Sequence, residues 1–331
     1  GFAIMITQTE MINWGIIGCG DVCEIKSGPA FSKVPHSKLV AVMRRDAAKA
    51  KDFAERHKVP KFYTNAEDLV NDNEVNAVYI ATPPSLHEAY TELALKAGKP
   101  VYVEKPVTTD AASVKRMIGY EKKYAGKVSV AHYRRALPLF RTIKELLQAN
   151  RIGKVKLVLL KTLQPIQSKI VAQTSDNWRI DPQYSGGGLF HDLSPHQLDI
   201  LYWLFGKPEM VDVFATNQGK HYNAPDVTMV RLSFANDIYF NGVWNFNIAE
   251  SAVEDSCEII GDKGSMRFSF FSMGHLTLIT NEGTELIEMQ YPTHIQQPHI
   301  NNVVEFFRNE GPNPCSLEEA LVTMEIMDRA R

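Results

Sequence analysis

The 331 residues are 44% hydrophobic and 22% charged, ordinary globular proportions in a chain long enough for two domains with separate cores. A formal net charge of −2 leaves no positive field to hold a polyphosphate backbone, which argues against a nucleic-acid partner. Four cysteines without a C-x-x-C pair, and no run near the ~18 apolar residues of a membrane span, argue against a disulfide framework and against a membrane partner, so a reduced, cytoplasmic setting is expected. The opening Gly1-Phe2-Ala3-Ile4-Met5-Ile6 lacks a basic flank and a cleavage site, and the first ten residues read as a tail.

Along the first half, strand and helix patterns alternate as in a doubly wound parallel sheet. Strands are predicted at 12–17, 39–43, 77–81, 101–103 and 128–131, with helices at 46–57, 85–96 and 110–124. Asp46 is placed to cap the first of these helices, Thr64 with Glu67 forms a capping box before a short one, and Gly98 suits the left-handed position after another. A dinucleotide-binding domain is expected over 11–131 and a second domain over 132–331. The second begins with a helix at 139–149 and a strand at 155–161, followed by a polar stretch to Tyr184 that reads as a loop over a site. A helix at 194–205 comes next. Strands at 227–234, 238–246, 253–260, 265–270 and 276–280, turned by Asn236-Asp237 and by Gly261-Asp262-Lys263-Gly264, predict an antiparallel meander with one face available to another subunit. Helices at 300–308 and 317–327 close the chain.

Chemistry concentrates at four places. Gly18-Cys19-Gly20-Asp21-Val22-Cys23 lies between a strand and a helix, where the first glycine makes the turn and the second lets the backbone approach a pyrophosphate; Cys23 replaces the third glycine of the fingerprint. At the end of the second strand, where a carboxylate normally meets the ribose 2′-hydroxyl, stand Arg44 and Arg45. Guanidinium groups match a 2′-phosphate, so NADP(H) is the preferred cofactor, with NAD(H) possible if the arginines are solvated and Asp46 serves the ribose. Thr82-Pro83-Pro84-Ser85-Leu86-His87 follows the strand ending at Ala81. Ala81, Thr82, Pro83 and His87 are therefore counted in the same groove, the alternative for His87 being a place on a helix surface.

In Val101-Tyr102-Val103-Glu104-Lys105-Pro106-Val107 the proline ends the strand and holds Lys105 just beyond it, at the mouth of the parallel sheet. Glu104 is counted with the cofactor residues. The run Ser185-Gly186-Gly187-Gly188-Leu189-Phe190-His191-Asp192-Leu193-Ser194-Pro195-His196 combines glycines that allow close approach of a ligand with Asp192 and His196 four apart on one helical face. A carboxylate beside an imidazole suits a general acid/base near neutral pH. A zinc reading of His191, Asp192 and His196 lacks a further ligand of matching spacing, and no metal is expected.

Gly18 to Gly20, Glu104-Lys105-Pro106 and the glycine run leading to Asp192 and His196 together resemble the glucose-fructose oxidoreductase, inositol dehydrogenase and MocA family of nicotinamide-dependent sugar and polyol oxidoreductases, from about Ile12 to the end. The resemblance implies a Rossmann domain followed by an α+β domain with a large open, mainly antiparallel sheet that mediates homodimers or homotetramers. It places Lys105, Asp192 and His196 around the nicotinamide and the substrate carbon. Trp178 and Arg179 would then approach the cofactor, and Arg135 and His191 the substrate. The expected reaction is hydride transfer to or from a hydroxyl or carbonyl carbon of a sugar, polyol or inositol-like substrate. His196 serves as acid/base oriented by Asp192, and Lys105 binds the substrate oxygen, though these two roles exchange readily. Oxidation is expected to rise with pH through the ordinary imidazole range. The alternatives are a non-catalytic nucleotide or sugar sensor on the same fold, and an aromatic trans-dihydrodiol dehydrogenase with a more apolar pocket.

Overall fold

The computed structural model describes residues 10–18, 20, 28–170, 178–180, 187–272 and 274–331. They form two compact units, the first reaching to Tyr133 and including Pro292–Leu321, the second made of Arg134–Tyr291 and Val322–Arg331.

In the first unit, strands β1 (Ile12–Ile17), β2 (Ser37–Met43), β3 (Lys61–Tyr63), β4 (Ala77–Ile80), β5 (Val101–Val103) and β6 (Val128–Val130) form a parallel sheet in the order β3-β2-β1-β4-β5-β6. That is the doubly wound order, which reverses direction between β1 and β4 and opens a crevice at their carboxyl ends. Helices α1 (Ala47–Arg56), α2 (Ala66–Val70), α3 (His87–Lys96) and α4 (Ala111–Lys123) connect the strands. Asp46 caps α1 by accepting the Lys49 N–H at 3.1 Å, and Gly98 takes φ +79° after α3, both as the sequence implies. The cap of α2 is Asn65 rather than Thr64: Asn65 is extended and accepts the Asp68 N–H at 2.8 Å, whereas Thr64 stands one residue too far out. Strand β3 escapes the sequence pattern because it is three residues long and leaves Phe62 exposed.

The second unit opens with α5 (Pro138–Gln148) and β7 (Val155–Leu163), and its long helix is α6 (Leu189–Phe205). Strands β8 (Met210–Thr216), β9 (Val227–Phe234), β10 (Ile238–Asn245), β11 (Glu254–Gly261), β12 (Gly264–Phe268), β13 (His275–Thr280) and β14 (Gly283–Glu288) join β7 in one sheet, ordered β14-β13-β12-β11-β7-β10-β9-β8. The sheet is mainly antiparallel but is no simple meander. Strand β7 is inserted between β11 and β10 and runs parallel to β10, because the chain leaves β7, passes through α6 and re-enters the sheet at its far edge. Asn236 and Asp237 have φ of 66° and 57°, a hairpin turn of the type whose twist suits β9 and β10. Edge strands β8 and β14 are absent from the sequence reading: β8 alternates only between exposed and half-buried positions with apolar residues on both faces, and β14 is exposed almost throughout.

Helix α6 begins at Leu189, five residues before its predicted start at Ser194. Ser194-Pro195 has the form of a cap followed by a first-turn proline, yet Pro195 lies inside the helix, where a proline costs about 3 kcal/mol. Burial of Leu189, Phe190 and Leu193 in the added turns offsets that cost, at roughly 1.5–3 kcal/mol for each fully buried large side chain. Gln197 pins the helix to the sheet, donating to Thr162 Oγ1 at 2.8 Å and accepting the Trp244 indole N–H at 2.9 Å. Alternation along the strands puts Leu159, Met210, Phe214, Met229, Tyr239, Ile279 and Leu286 on the face opposite α6, where all are exposed.

The stretch 292–321, read from sequence as part of the second domain, packs in the first unit through α7 (Gln297–Phe307). Ile300, Val303, Val304 and Phe307 join the core of Trp14, Phe31, Tyr79 and Tyr102, with Trp14 4.8 Å from Phe31 and 5.6 Å from Phe307 between ring centroids. Helix α8 (Leu317–Asp328) then leads to the C-terminal residues of the second unit. Among the described residues no helix is long and apolar enough to cross a membrane.

Candidate active site

The carboxyl ends of β1, β2 and β4 meet at Gly18. Its N–H donates to the Met43 carbonyl at 2.9 Å, the Ala81 N–H donates to the Ile17 carbonyl at 3.0 Å, and φ at Gly18 is +86°. A Cβ on Gly18 would fall 2.7 Å from Thr82 Cγ2, so glycine is required for both conformation and space. At Gly20 no described atom lies within 4 Å of where a Cβ would be. The buried Thr82 Oγ1 has no hydrogen-bond partner among the described residues. A glycine turn at the strand ends, with an unused buried hydroxyl next to it, fits a bound dinucleotide. Cys19, Asp21, Val22 and Cys23 lie outside the described residues.

Arg44 and Arg45 follow β2, the first half-buried and the second exposed, and among the described residues neither side chain meets a carboxylate. Asp46 is engaged as the cap of α1. The two arginines are thus the charged groups presented at the end of β2.

Lys105 is half-buried immediately beyond β5. Glu104 turns inward instead of toward the crevice, which removes it from the cofactor-contacting set: its carboxylate accepts the Tyr79 hydroxyl at 2.5 Å, the Gln296 amide at 3.2 Å and the Lys105 backbone N–H at 3.3 Å. His87 is neither on a helix surface nor open to a ligand. It is fully buried, with one ring nitrogen 2.7 Å from the Thr82 carbonyl oxygen and the other 3.1 Å from those of Pro106 and Val107. The ring thus lies between the Thr82 turn and the turn after Lys105, and in its neutral form, with one N–H, it donates to one of them and packs against the other. Burial pushes its imidazole down to about 4, against the pull of the three carbonyl oxygens. The neutral ring is the form the fold keeps, so the stability it contributes is complete above the ordinary value of 6.5 and is lost as pH falls toward 4. That difference amounts to about 3 kcal/mol at most. Urea unfolding followed from about pH 8 to about pH 4 should show the loss, and His87→Gln should flatten it; identical acid dependence in the variant would place its origin elsewhere.

In the second unit, Asp192 and His196 lie one turn apart on α6, both buried. Arg179, from the short turn Trp178–Ile180, brings its Nε to 3.5 Å from Asp192 Oδ1. The Trp178 side chain lies outside the described part of the structure, as do Ser185 and Gly186. The His196 ring stands nearly perpendicular to Phe271 at 5.8 Å, and the Arg134 guanidinium lies 5.0 Å from the centre of the Phe271 ring. Asp255 fixes that segment by accepting the Phe270 and Phe271 N–H groups at 3.1 and 2.9 Å. Burial pushes the Asp255 carboxyl up. Phe271 also walls a cavity of about 420 Å³ whose lining mixes apolar Pro165, Ile170 and Val253 with polar and charged Gln164, Lys169 and Asp255. Sequence reasoning misses Phe271, since one aromatic between two strands carries no signal of its own.

Two expected substrate residues are engaged elsewhere. Arg135 is buried and makes a bidentate pair with Asp199 at 2.8 and 2.7 Å, so its fork is used within the protein. Asp199 lies three residues beyond His196 on α6. His191 is buried, and burial together with the nearby Arg331 pushes its imidazole down to about 3. Its ring fills the space over Gly187, where a Cβ would come within 1.9 Å of Nδ1. Gly187 thus accommodates a histidine of the protein rather than a ligand.

The arrangement has known relatives. Residues 12–132 match the model of the oxidoreductase family with an NAD-binding Rossmann fold, and residues 140–267 match the GFO/IDH/MocA C-terminal domain. Oxidoreductase P35 of Formosa agariphila is 44% identical over 319 residues, covering 96% of this chain and 97% of that protein. Trans-1,2-dihydrobenzene-1,2-diol dehydrogenase of Bos taurus is 26% identical over 255 residues, covering 76% and 72%. In three dimensions the chain is similar to aldose-aldose oxidoreductase from Caulobacter crescentus, whose structure is complexed with glycerol, with a TM-score of 0.84, 19% identity and coverage of 97% and 96%. With both halves matched in order, a doubly wound sheet ending at Gly18 and Lys105, and a helix carrying Asp192 and His196, the chain belongs to the GFO/IDH/MocA family of NAD(P)-dependent oxidoreductases.

Proposed function

We propose that this chain, working in the cytoplasm, transfers a hydride between C4 of NADP(H) and a hydroxyl- or carbonyl-bearing carbon of a sugar, polyol or inositol-like substrate. The observation that carries this reading is α6, which holds Asp192 and His196 one turn apart with Arg179 on the aspartate. Bound nicotinamide supplies the hydride acceptor or donor. His196 takes the proton of the substrate hydroxyl in oxidation and returns it in reduction, oriented by Asp192. Lys105 hydrogen-bonds the same oxygen and stabilises its developing negative charge. Gly18, Gly20, Ala81, Thr82 and Pro83 would hold the dinucleotide, with Arg44 and Arg45 at its 2′-phosphate. A second substrate reading is an aromatic trans-dihydrodiol, whose ring would meet the Pro165, Ile170, Val253 and Phe271 part of the cavity wall, while Lys169, Glu250 and Asp255 on the same wall suit a polyhydroxyl substrate.

The test is a screen with NADP⁺ against D-glucose, D-xylose, myo-inositol, D-gluconate and trans-1,2-dihydrobenzene-1,2-diol, following the reduced nicotinamide band. Reduction with a sugar or polyol supports the proposal, and reduction with the diol alone transfers support to the second reading. Tight cofactor binding with no turnover across a wide panel would point to a sensor. We also propose that a second copy of the chain covers the sheet face carrying Leu159, Phe214, Met229 and Tyr239, since so many exposed apolar side chains on one face mark an association surface. Sedimentation should find a homodimer or homotetramer, reduced to monomer by Phe214→Lys with Tyr239→Lys; an unmodified protein that is monomeric at micromolar concentration would contradict this.

A further inference from the structure

The geometry points to Gln296 as a positioning residue for Lys105, acting through Glu104. The inference rests on the catalytic reading of Lys105 given above. Gln296 lies 192 residues from Glu104 in the chain, just before α7, yet it is fully buried against it. Both ends of its amide are used: Oε1 accepts the Tyr102 hydroxyl at 2.7 Å, and Nε2 donates to Glu104 Oε2 at 3.2 Å. Turning the amide over would set a carbonyl oxygen against the carboxylate, so chemistry fixes this orientation. Glu104 Oε2 also accepts the Tyr79 hydroxyl, while Oε1 accepts the Lys105 backbone N–H. Burial, reinforced by Glu104, raises the Tyr102 phenol well above its ordinary value, so Tyr102 stays a donor.

The consequence for Lys105 follows from counting donors. Tyr79 on β4 and Gln296 before α7 hold the Glu104 carboxylate, Tyr102 on β5 holds Gln296, and the carboxylate holds the backbone of Lys105 where β5 ends. Removing the Gln296 N–H leaves a buried carboxylate one donor short and free to turn, which loosens its grip on the Lys105 N–H. The titratable groups facing this network are Tyr79, Tyr102 and His299, whose ring lies 5.9 Å from Tyr102, with Tyr133 and Cys315 beside Tyr102.

Gln296→Met keeps the shape of the side chain and deletes both hydrogen bonds. The direct readout is the ¹³C signal of reductively methylated Lys105, assigned by its loss in Lys105→Arg. At fixed pH the unmodified protein should give one sharp Lys105 signal; in Gln296→Met the signal should move and broaden as the end of β5 loses its hold. Turnover of whichever screened substrate reacts should fall about ten- to a hundredfold, with the KM for NADP⁺ within about twofold, because the reacting group is misplaced and the cofactor residues are not. Gln296→Glu sets two carboxylates side by side, so its activity should fall as pH rises. If Gln296→Met does not fold, Tyr102→Phe, which frees only the outer end of the amide and lets it turn, should move the signal in the same direction with a smaller loss. An unmoved, sharp Lys105 signal and near-full turnover in Gln296→Met, with Lys105→Met inactive, would overturn the positioning role and leave Lys105 in place. Near-full turnover of Lys105→Met would instead overturn the reading of the site.

Discussion

Replacing Lys105 by methionine should lower turnover by about a hundred- to a thousandfold while leaving the protein folded, the loss typical of removing a charge-stabilising donor from a developing oxyanion. Methionine matches the lysine stem in length and removes only the ammonium group. The side chain stands beyond the end of β5, outside the core built on Trp14, Phe31, Tyr79 and Tyr102, so its removal costs the fold little. The carboxylate behind it continues to hold the backbone N–H at 3.3 Å, and the strand end keeps its place. An interaction made mainly in the transition state should appear in kcat more than in KM. Steady-state kinetics and a thermal melt of the same preparation check both halves; a folded variant with near-full turnover would remove Lys105 from the chemistry.

NADP(H) should bind about ten- to a hundredfold more tightly than NAD(H), the preference that one charge-assisted hydrogen bond of about 1.5–3 kcal/mol supplies. The structure adds two facts to the sequence argument: Asp46 spends its carboxylate on the Lys49 N–H, and among the described residues no carboxylate neutralises Arg44 or Arg45. Since the arginines are at least partly exposed, the preference should narrow as salt rises. Arg44→Asp should reverse it, because a carboxylate accepts from a ribose hydroxyl and repels a phosphate. Fluorescence titration with both reduced cofactors, at low and at moderate salt, measures this. Equal affinities in the unmodified protein would mean that both arginines point to solvent.

Strands β1, β4 and β5 were legible because they are short apolar runs soon followed by glycine or proline, and α1 because Asp46 caps it with its own side chain. Asn236-Asp237 and Gly98 were legible for a similar reason, since each takes a backbone conformation few residues tolerate. What stayed hidden depends on partners distant in sequence. Nothing near Arg135 announces that Asp199 will occupy its fork, and nothing near Glu104 announces Gln296. His87 follows a turn rich in proline, which suggests exposure, yet carbonyl oxygens from two turns draw it fully inside. The start of α6 was misplaced because a local rule about proline yielded to burial of the preceding turns. Edge strand β8 carries Met210 and Phe214 on its exposed face opposite Val211, Val213 and Ala215, so no apolar-polar alternation marks it in sequence, and β14 is exposed almost throughout.

Direct hydride transfer is the core of the functional account, and one labelling experiment addresses it. The protein is incubated with NADP⁺ and perdeuterated D-glucose, D-xylose or myo-inositol, and the reduced cofactor is recovered and examined by NMR. The account predicts deuterium at nicotinamide C4, on one face only, and almost none in the Lys105→Met or His196→Asn variants over the same time. Reduced cofactor carrying hydrogen from water at that carbon, or equal labelling by the two variants and the unmodified protein, would contradict it.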